Sequence, residues 1–358
     1  MKMTALIMAG GRGERFWPKS RQDMPKQFLA LTDPDRTMIQ CTVDRLLPVM
    51  QMEDIFIATG ESYRELVKKQ LPDLPEENIL CEPCARNTAP CIGLGAVHIR
   101  KKYGDAMMVV LPSDHLITQP RMFRSVLKQA ARVAESENAL VTLGITPSSP
   151  DTGYGYIRYD TESPQVMGTA FHVTRFAEKP SLDVARQYLA SGDYLWNSGM
   201  FIWKVSTILE EIGTHLPEHA ALLEEIAGAI GTDQEKAVLE EKFPRMKPIS
   251  VDYGIMEKTK RIYTIPSSFG WDDVGSWQAV GRMHQLDGGD NYFSGDVLAV
   301  EANHCIVQGD QKMIALIGTE NLVIVDTEDA LLVCDKNHTG DIKKVLEKLR
   351  EKNRRELL

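Results

Sequence analysis

Thr4-Ala5-Leu6-Ile7-Met8-Ala9-Gly10-Gly11-Arg12-Gly13-Glu14-Arg15-Phe16-Trp17-Pro18 is the stretch from which the rest of the chain is read. Thr4 to Ala9 is a short, almost wholly apolar run, which suits a buried strand. Gly10 and Gly11 end it, and a glycine turn after a buried strand lets backbone N–H groups approach an anion closely. Arg12 and Arg15, with Lys26 in the following Pro25-Lys26-Gln27, add positive charge to the same segment. Two common phosphate loops are excluded. A Walker A loop needs Gly-Lys before Ser or Thr, and the chain has no Gly-Lys dipeptide; the dinucleotide fingerprint GxGxxG needs glycine where Phe16 stands. A tight turn carrying solvated basic residues fits the same letters.

Working outward, a helical pattern begins near Thr37 with Met38, Ile39, Val43, Leu46 and Leu47, and Ile55 to Thr59 reads as a second strand. Ser62 and Glu65 have capping-box spacing ahead of a helix carrying Leu66 and Val67. Residues 88–103 and 122–135 read as helices. Met107 to Leu111 and Ala139 to Ile145 read as strands, the first running straight into Pro112-Ser113-Asp114-His115. Strands alternating with helices of this length imply an α/β fold with a mainly parallel sheet and helices on both faces. Such sheets bind ligands at the carboxyl ends of strands, where both Gly10-Gly11 and Ser113-Asp114 fall. Beyond Gly288-Gly289-Asp290-Asn291 the character changes to short β-rich runs over 295–335, then a helix with Ile342, Val345, Leu346 and Leu349 at i, i+3, i+4, i+7. The expected division is therefore residues 1–288 and a β-rich domain, 289–358, with a terminal helix.

Composition narrows the function classes. The chain has 358 residues, 41 Lys+Arg against 50 Asp+Glu and a net charge of −9, so non-specific nucleic-acid binding, which needs positive surface, is not expected. No apolar run reaches the length that crosses a bilayer, and the start is too short for a signal-peptide core, so no membrane association is expected. Six cysteines in this length do not form a disulfide framework, and a cytoplasmic protein with thiols is expected. Cys81-Glu82-Pro83-Cys84 has zinc-knuckle spacing, but no second such pair completes four ligands.

Other segments carry candidate chemistry. Asp114, after a buried strand, and Asp273, in Trp271-Asp272-Asp273-Val274-Gly275-Ser276-Trp277, can together hold Mg²⁺, which takes one or two carboxylates plus substrate phosphates. Each alone also fits a turn or a helix N-cap. His115 reads as a hydrogen-bonded structural histidine, with a ligand role as the alternative. In Phe176-Ala177-Glu178-Lys179-Pro180, Lys179 can hold a phosphate and Glu178 can accept from sugar hydroxyls, or the two can form a surface ion pair. Asn197, in Trp196-Asn197-Ser198-Gly199, offers both donor and acceptor to hydroxyls, or forms a turn. Lys26 and Asp273 belong to no apolar core pattern, so replacing them is expected to spare folding.

In order along the chain, several segments resemble the nucleotidyltransferase family that makes nucleotide sugars. They are Ala9 to Arg15 with Trp17-Pro18, Ser20-Arg21, Pro25-Lys26-Gln27-Phe28, Glu82-Pro83, Arg86-Asn87-Thr88-Ala89-Pro90, Leu111 to His115, Thr152 to Ile157, Glu178-Lys179-Pro180, Trp196 to Phe201, Ser250-Val251-Asp252-Tyr253 and Asp273 to Trp277. Pro-Lys-Gln-Phe, Arg-Asn-Thr-Ala-Pro and Trp-Asn-Ser-Gly-Met-Phe point to the branch that pairs mannose with GTP. The resemblance implies a Rossmann-like core with a small C-terminal left-handed β-helix-like domain, often used in dimer packing, and hence a homodimer. It implies GTP and α-D-mannose 1-phosphate as substrates, and GDP-mannose and pyrophosphate as products. It also implies roles. Ala9, Gly10, Gly11, Arg12, Gly13 and Ser113 would hold the nucleotide, with Asn87 and Thr88 near the guanine. Arg15 and Lys26 would neutralise the triphosphate, Asp114 and Asp273 would hold Mg²⁺, Lys179 the sugar phosphate, and Gly153, Glu178 and Asn197 the mannose. Longer members carry a fused isomerase domain; this chain ends at Leu358, and no isomerase activity is expected. A pyrophosphorylase for another sugar or nucleotide, and a non-catalytic GDP-mannose-binding regulator, are the competing readings.

Overall fold

The computed structural model describes every residue except Arg12, Pro164 and Gln285. Contacts divide the chain into two compact units, neither of them one continuous stretch. The first comprises Met1–Gly10, Val43–Ser113 and Ile117–Trp271; the second comprises Gly11–Thr42, Asp114–Leu116 and Asp272–Leu358.

The first unit is organised by a nine-stranded sheet: β1 (Met3–Met8), β2 (Ile55–Gly60), β3 (Ile79–Glu82), β4 (Met107–Pro112), β5 (Leu140–Ile145), β6 (Tyr156–Tyr159), β7 (Phe171–Ala177), β8 (Tyr194–Lys204) and β9 (Ile262–Ser267), in spatial order β3-β2-β1-β4-β8-β5-β9-β7-β6. The pairs β1–β2, β1–β4, β2–β3 and β9–β5 are parallel, whereas β8 runs against β4, β5 and β6, and β7 runs against β9 and β6. Two strands thus oppose the direction of the other seven. The central strands are buried along nearly their whole length, as strands covered on both faces must be.

The helices are α1 (Met38–Leu46), α2 (Arg64–Gln70), α3 (Thr88–Tyr103), α4 (Pro120–Glu137), α5 (Leu182–Ser191), α6 (Val205–His215), α7 (Pro217–Ala229), α8 (Glu235–Lys242), α9 (Trp277–Met283) and α10 (Ile342–Glu351). Alternate residues of β1, β4 and β8 (Leu6, Met108, Val110, Phe201, Trp203) share a core with Ile92 of α3, Ile208 and Ile212 of α6 and Leu223 of α7. Helix α4 packs on β5 and β8 with its own set, Phe123, Leu127 and Val133 among them. The capping box expected at Ser62 and Glu65 does not form. Ser62 lies in a 3₁₀ turn, α2 starts at Arg64 with no side-chain cap, and the Glu65 carboxylate pairs with Lys68 instead at 3.7 Å.

The second unit carries the β-rich end. β10 (Tyr292–Ser294), β12 (Ile306–Gln308) and β14 (Leu322–Asp326) stack in parallel, β11 (Val297–Val300) and β13 (Ile314–Ile317) form a second parallel pair, and β15 (Leu331–Asp335) closes β14 antiparallel. Successive parallel rungs on two faces are the geometry of a β-helix-like coil. Its core joins Phe16, Trp17 and Met38 to Trp277, Val280, Ile306, Val323, Val325, Ile342 and Leu346. The Trp17 indole N–H donates to Leu357 O at 2.8 Å, and that of Trp277 donates to Trp17 O at 3.3 Å. Of the apolar stripe on α10, Ile342 and Leu346 are buried and Val345 is left exposed.

Candidate active site

The glycine turn is shaped by its contact with Lys26. Gly13 has φ 58°, and a Cβ there would stand 2.4 Å from Lys26 Cβ and 2.7 Å from Lys26 N, so only glycine fits. Lys26 opens a short 3₁₀ turn, Lys26–Phe28, and its residue exposure is only 4%. Its ammonium donates to the Asp114 carboxylate at 2.9 Å and to the Asp273 backbone carbonyl at 2.7 Å. Burial alone would raise the Asp114 carboxyl, but the Lys26 and His115 charges and the Lys26 hydrogen bond hold it below the usual carboxylate range. The expectation that Lys26 could be replaced without touching folding is therefore corrected. A lysine looks like surface in sequence, yet this one is buried and charge-paired.

Asp273 leads into a strained bend. Val274 is fully buried with φ 48°, a conformation that a β-branched residue adopts only when its surroundings impose it, and such strain clusters at working sites. Two side-chain turns hold the bend: Val274 N–H donates to Asp272 Oδ1 at 2.7 Å and Gly275 N–H to Asp273 Oδ1 at 3.1 Å. Arg15, exposed, donates to Gly275 O at 3.4 Å. Gly13, Arg15, Lys26, Asp114, His115 and Asp273 all line one cavity of about 850 Å³ in the second unit. Four of the five predicted catalytic residues are thus together. Arg12 lies outside the described residues.

In the first unit, Ala9 continues β1. Its N–H donates to Ala58 O at 2.7 Å and its carbonyl accepts from Thr59 Oγ1 at 3.0 Å, so its backbone belongs to the sheet. Among the described residues, the N–H groups of Gly10, Gly11 and Gly13 donate to no acceptor, which leaves them available to an anion. Ser113, at the end of β4, donates its N–H to Met8 O at 3.1 Å. Asn87 caps α3 by accepting from Thr88 N–H at 2.8 Å, with its backbone at φ 70° and ψ −175°, a region that is otherwise almost glycine-only.

Glu82 ends β3 beside this turn, and no role was read for it in the sequence. Its Oε2 would lie 3.5 Å from a Cβ at Gly10, and its Oε1 is buried without a hydrogen-bond partner. Burial pushes its carboxyl up to about 7, partly offset by the thiol of Cys91.

A second group of candidates surrounds Gly155. A Cβ at Gly155 would fall 2.3 Å from Glu178 Oε2, and Asn197 N–H donates to Gly155 O at 2.8 Å, so a missing side chain brings these two together. Lys179 pairs with Glu178 at 3.6 Å and is otherwise exposed, with φ 45°. Asn197 Nδ2 donates to Asp252 Oδ1 at 2.8 Å. Tyr154 stacks edge-on against Trp196 and Trp271, with centroids 5.0 and 5.1 Å apart. Gly153 is exposed, its N–H bound to Asp151 Oδ1 at 2.7 Å. Gly155 and Asp252 were not singled out by sequence, although both lie inside segments that were.

Residues 4–288 match the family described as nucleotidyl transferase, and residues 295–349 the MannoseP isomerase/GMP-like beta-helix domain. A mannose-1-phosphate guanylyltransferase of Escherichia coli is 38% identical over 357 residues, 98% of this chain and 74% of that protein. One from Salmonella montevideo is 37% identical over 361 residues, 99% of this chain and 75% of that protein. A solved structure from Thermus thermophilus, described as a mannose-1-phosphate geranyltransferase, is similar with TM-score 0.88 and 34% identity, covering 98% of this chain and 100% of that one.

Proposed function

The chain belongs to the nucleotidyl transferase family, and from that premise we propose that it is a mannose-1-phosphate guanylyltransferase, joining GTP and α-D-mannose 1-phosphate into GDP-mannose with release of pyrophosphate. The observation that carries this reading is the buried Lys26 ammonium beside Asp114 and Asp273 on a cavity that Arg15 also lines. A sugar-phosphate oxygen attacks the α-phosphorus in line, and the bond from that phosphorus to the bridging oxygen breaks. The attacking phosphate is already an anion, so no general base is needed. What the chemistry needs is orientation and neutralisation of growing negative charge, which Lys26, Arg15 and the backbone N–H groups of Gly10, Gly11 and Gly13 supply.

Asp114 and Asp273 would hold a divalent cation, Mg²⁺. The donor set fits: Asp114 and Asp273 line the same cavity, and Mg²⁺ takes one or two carboxylates together with substrate phosphates. When bound, the cation offsets charge on the phosphate oxygens. Lys179 would take the sugar phosphate, and Glu178 and Asn197 the mannose hydroxyls.

Glu82 gives a chemical basis for guanine. Guanine presents N1–H and its exocyclic amine side by side, and a carboxylate accepts from both, whereas adenine offers no such pair. Burial of this carboxyl, with Oε1 left unpartnered and only the Cys91 thiol as a side-chain donor, predicts a pH signature. Its folded pKa, about 7, lies above the ordinary 4.5, so the folded protein binds a proton more tightly. The protein accordingly loses stability as pH rises from about 4.5 to 7, by about 3 kcal/mol from this group. Urea unfolding at pH 5 and pH 8 should show Glu82→Gln losing that much less than wild type over the interval. Identical losses in the two proteins would remove Glu82 from this account.

The second copy in a homodimer would cover an aliphatic face of the β-helix-like coil. Val300 and Ile317 face each other across β11 and β13 and are 58% and 74% exposed, with Leu298 alongside at 60%. Leu298→Glu with Ile317→Glu should shift the protein from dimer to monomer in sedimentation equilibrium while the far-ultraviolet spectrum stays unchanged. A wild-type monomer at micromolar concentration sinks the dimer. No helix among the described residues is long and apolar enough to cross a membrane, and all six cysteines carry thiols, which suits the cytoplasm.

The direct test is pyrophosphate release with Mg²⁺, each nucleoside triphosphate, and mannose 1-phosphate or glucose 1-phosphate. Release confined to GTP with mannose 1-phosphate is expected. Release with another pair would keep the family and overturn the branch. No release from folded protein that binds GDP-mannose would make it a regulator.

A further inference from the structure

Ile249 to Asp252 is tied at one end to the α3 start and at the other to Asn197. Ala89 N–H donates to Ile249 O at 3.1 Å, Ile249 N–H to Arg86 O at 3.3 Å, and Val251 N–H to Thr88 Oγ1 at 2.8 Å. The chain then enters a single π-helical turn, Asp252–Met256, a rare conformation found preferentially at functional sites. Its first side chain reaches Asn197, whose Nδ2 donates to Asp252 Oδ1 at 2.8 Å. At the other end of the same amide, Asn197 Oδ1 accepts from Gly199 N–H at 3.0 Å. An amide held at both ends cannot turn over. One N–H and the second lone pair of Oδ1 remain, and their directions are fixed by the two bonds. Without Asp252, the amide keeps only the tie to Gly199 and is free to swing.

We infer that Asp252 is a positioning residue for sugar recognition: by accepting the Asn197 Nδ2 proton, it sets which way the Asn197 amide faces a hexose hydroxyl. This rests on the reading of Asn197 as a sugar contact. The substrate class is a hexose 1-phosphate with a hydroxyl that must meet the remaining Asn197 donor. Asp252 needs no contact with the sugar itself, so its loss should act through Asn197 and no further. The tie to Thr88 adds that Asp252 is carried by a segment anchored beside the nucleotide candidates. A swing of the Asn197 amide should therefore weaken the sugar while leaving the nucleotide bound as before.

The experiment measures KM for mannose 1-phosphate and for GTP, with kcat, in Asn197→Ala, Asp252→Ala, Asp252→Asn and the double variant Asn197→Ala/Asp252→Ala. Asp252→Ala should raise the sugar KM about tenfold with the GTP KM within twofold of wild type, as loss of one hydrogen bond to a charged partner would. Asp252→Asn retains an oxygen that can accept the same proton, and should bring the sugar KM back to within about threefold of wild type. The double variant should be no worse than Asn197→Ala alone, since coupled residues do not add. If Asp252→Ala does not fold, Asp252→Ser, which is too short to reach Asn197, replaces it. Additive losses, or equal rises in both KM values, overturn the inference while leaving Asn197 as a sugar contact. An unchanged sugar KM in Asn197→Ala overturns the sugar reading itself, and the inference falls with it.

Discussion

Lys26→Ala should lose about three orders of magnitude in kcat. One preorganised donor to developing charge is worth roughly a hundredfold to a thousandfold, and Lys26 supplies a full positive charge from a position only 4% exposed, where water cannot replace it. A fall of this size in kcat, with smaller changes in either KM, is the mark of an interaction made chiefly in the transition state. The variant should also be less stable. Removing the ammonium strips Asp114 of its partner at 2.9 Å and the Asp273 carbonyl of its donor at 2.7 Å. Asp114 is partly open to solvent, so the penalty should be about 1–2 kcal/mol, below that of a fully buried broken pair. Steady-state turnover alongside urea unfolding separates the two effects. Lys26→Arg is the stringent control, because it keeps the charge but not the compact head that reaches both the Asp114 carboxylate and the Asp273 carbonyl. Turnover of Lys26→Ala within tenfold of wild type, in folded protein, would end the assignment.

The burial of Lys26 marks how far the sequence could be read. Unbroken apolar runs such as Met107 to Leu111 announce strands covered on both faces, and the α/β alternation follows from their spacing with the helices. The reversal of β7 and β8 has no comparable signal, because direction in a sheet is set by the path between strands and not by their composition. Lys26 stands between Met24-Pro25 and Gln27-Phe28, and nothing in its own type predicts that the Gly13 turn will close over it. Trp17 and Trp277 were read as part of motifs; their joint core is 260 residues apart in sequence and appears only in three dimensions. Asp252 and Asn197 meet across 55 residues, and Val251 and Thr88 across 163, separations at which no local pattern survives. What was legible about chemistry was the residue types at strand ends. What was not was which polar groups are left buried and unpaired, as Glu82 Oε1 is.

Asp114→Asn should cost about as much turnover as Lys26→Ala, for a different reason. The substitution keeps the side-chain volume and one carbonyl oxygen, yet removes the charge that balances Lys26 and that a divalent cation would require. Two readouts distinguish these losses. If Asp114 is a cation ligand, the Mg²⁺ concentration for half-maximal rate should rise at least tenfold, and Mn²⁺ binding to the protein, followed without substrate, should weaken in parallel. If Asp114 serves only to hold Lys26, kcat should fall while the metal dependence stays where it was. Acid titration provides a further check. The Asp114 carboxyl is held below its ordinary 3.8 by its neighbours, so its contribution to stability is fully present above that pH and is lost as pH falls through the lowered value. Asp114→Asn should therefore reduce stability at pH 7 and lose less of it on acidification than wild type. A variant with wild-type metal dependence and wild-type acid unfolding would leave Asp114 with neither role, and the cation would have to be held by Asp273 and the substrate phosphates alone.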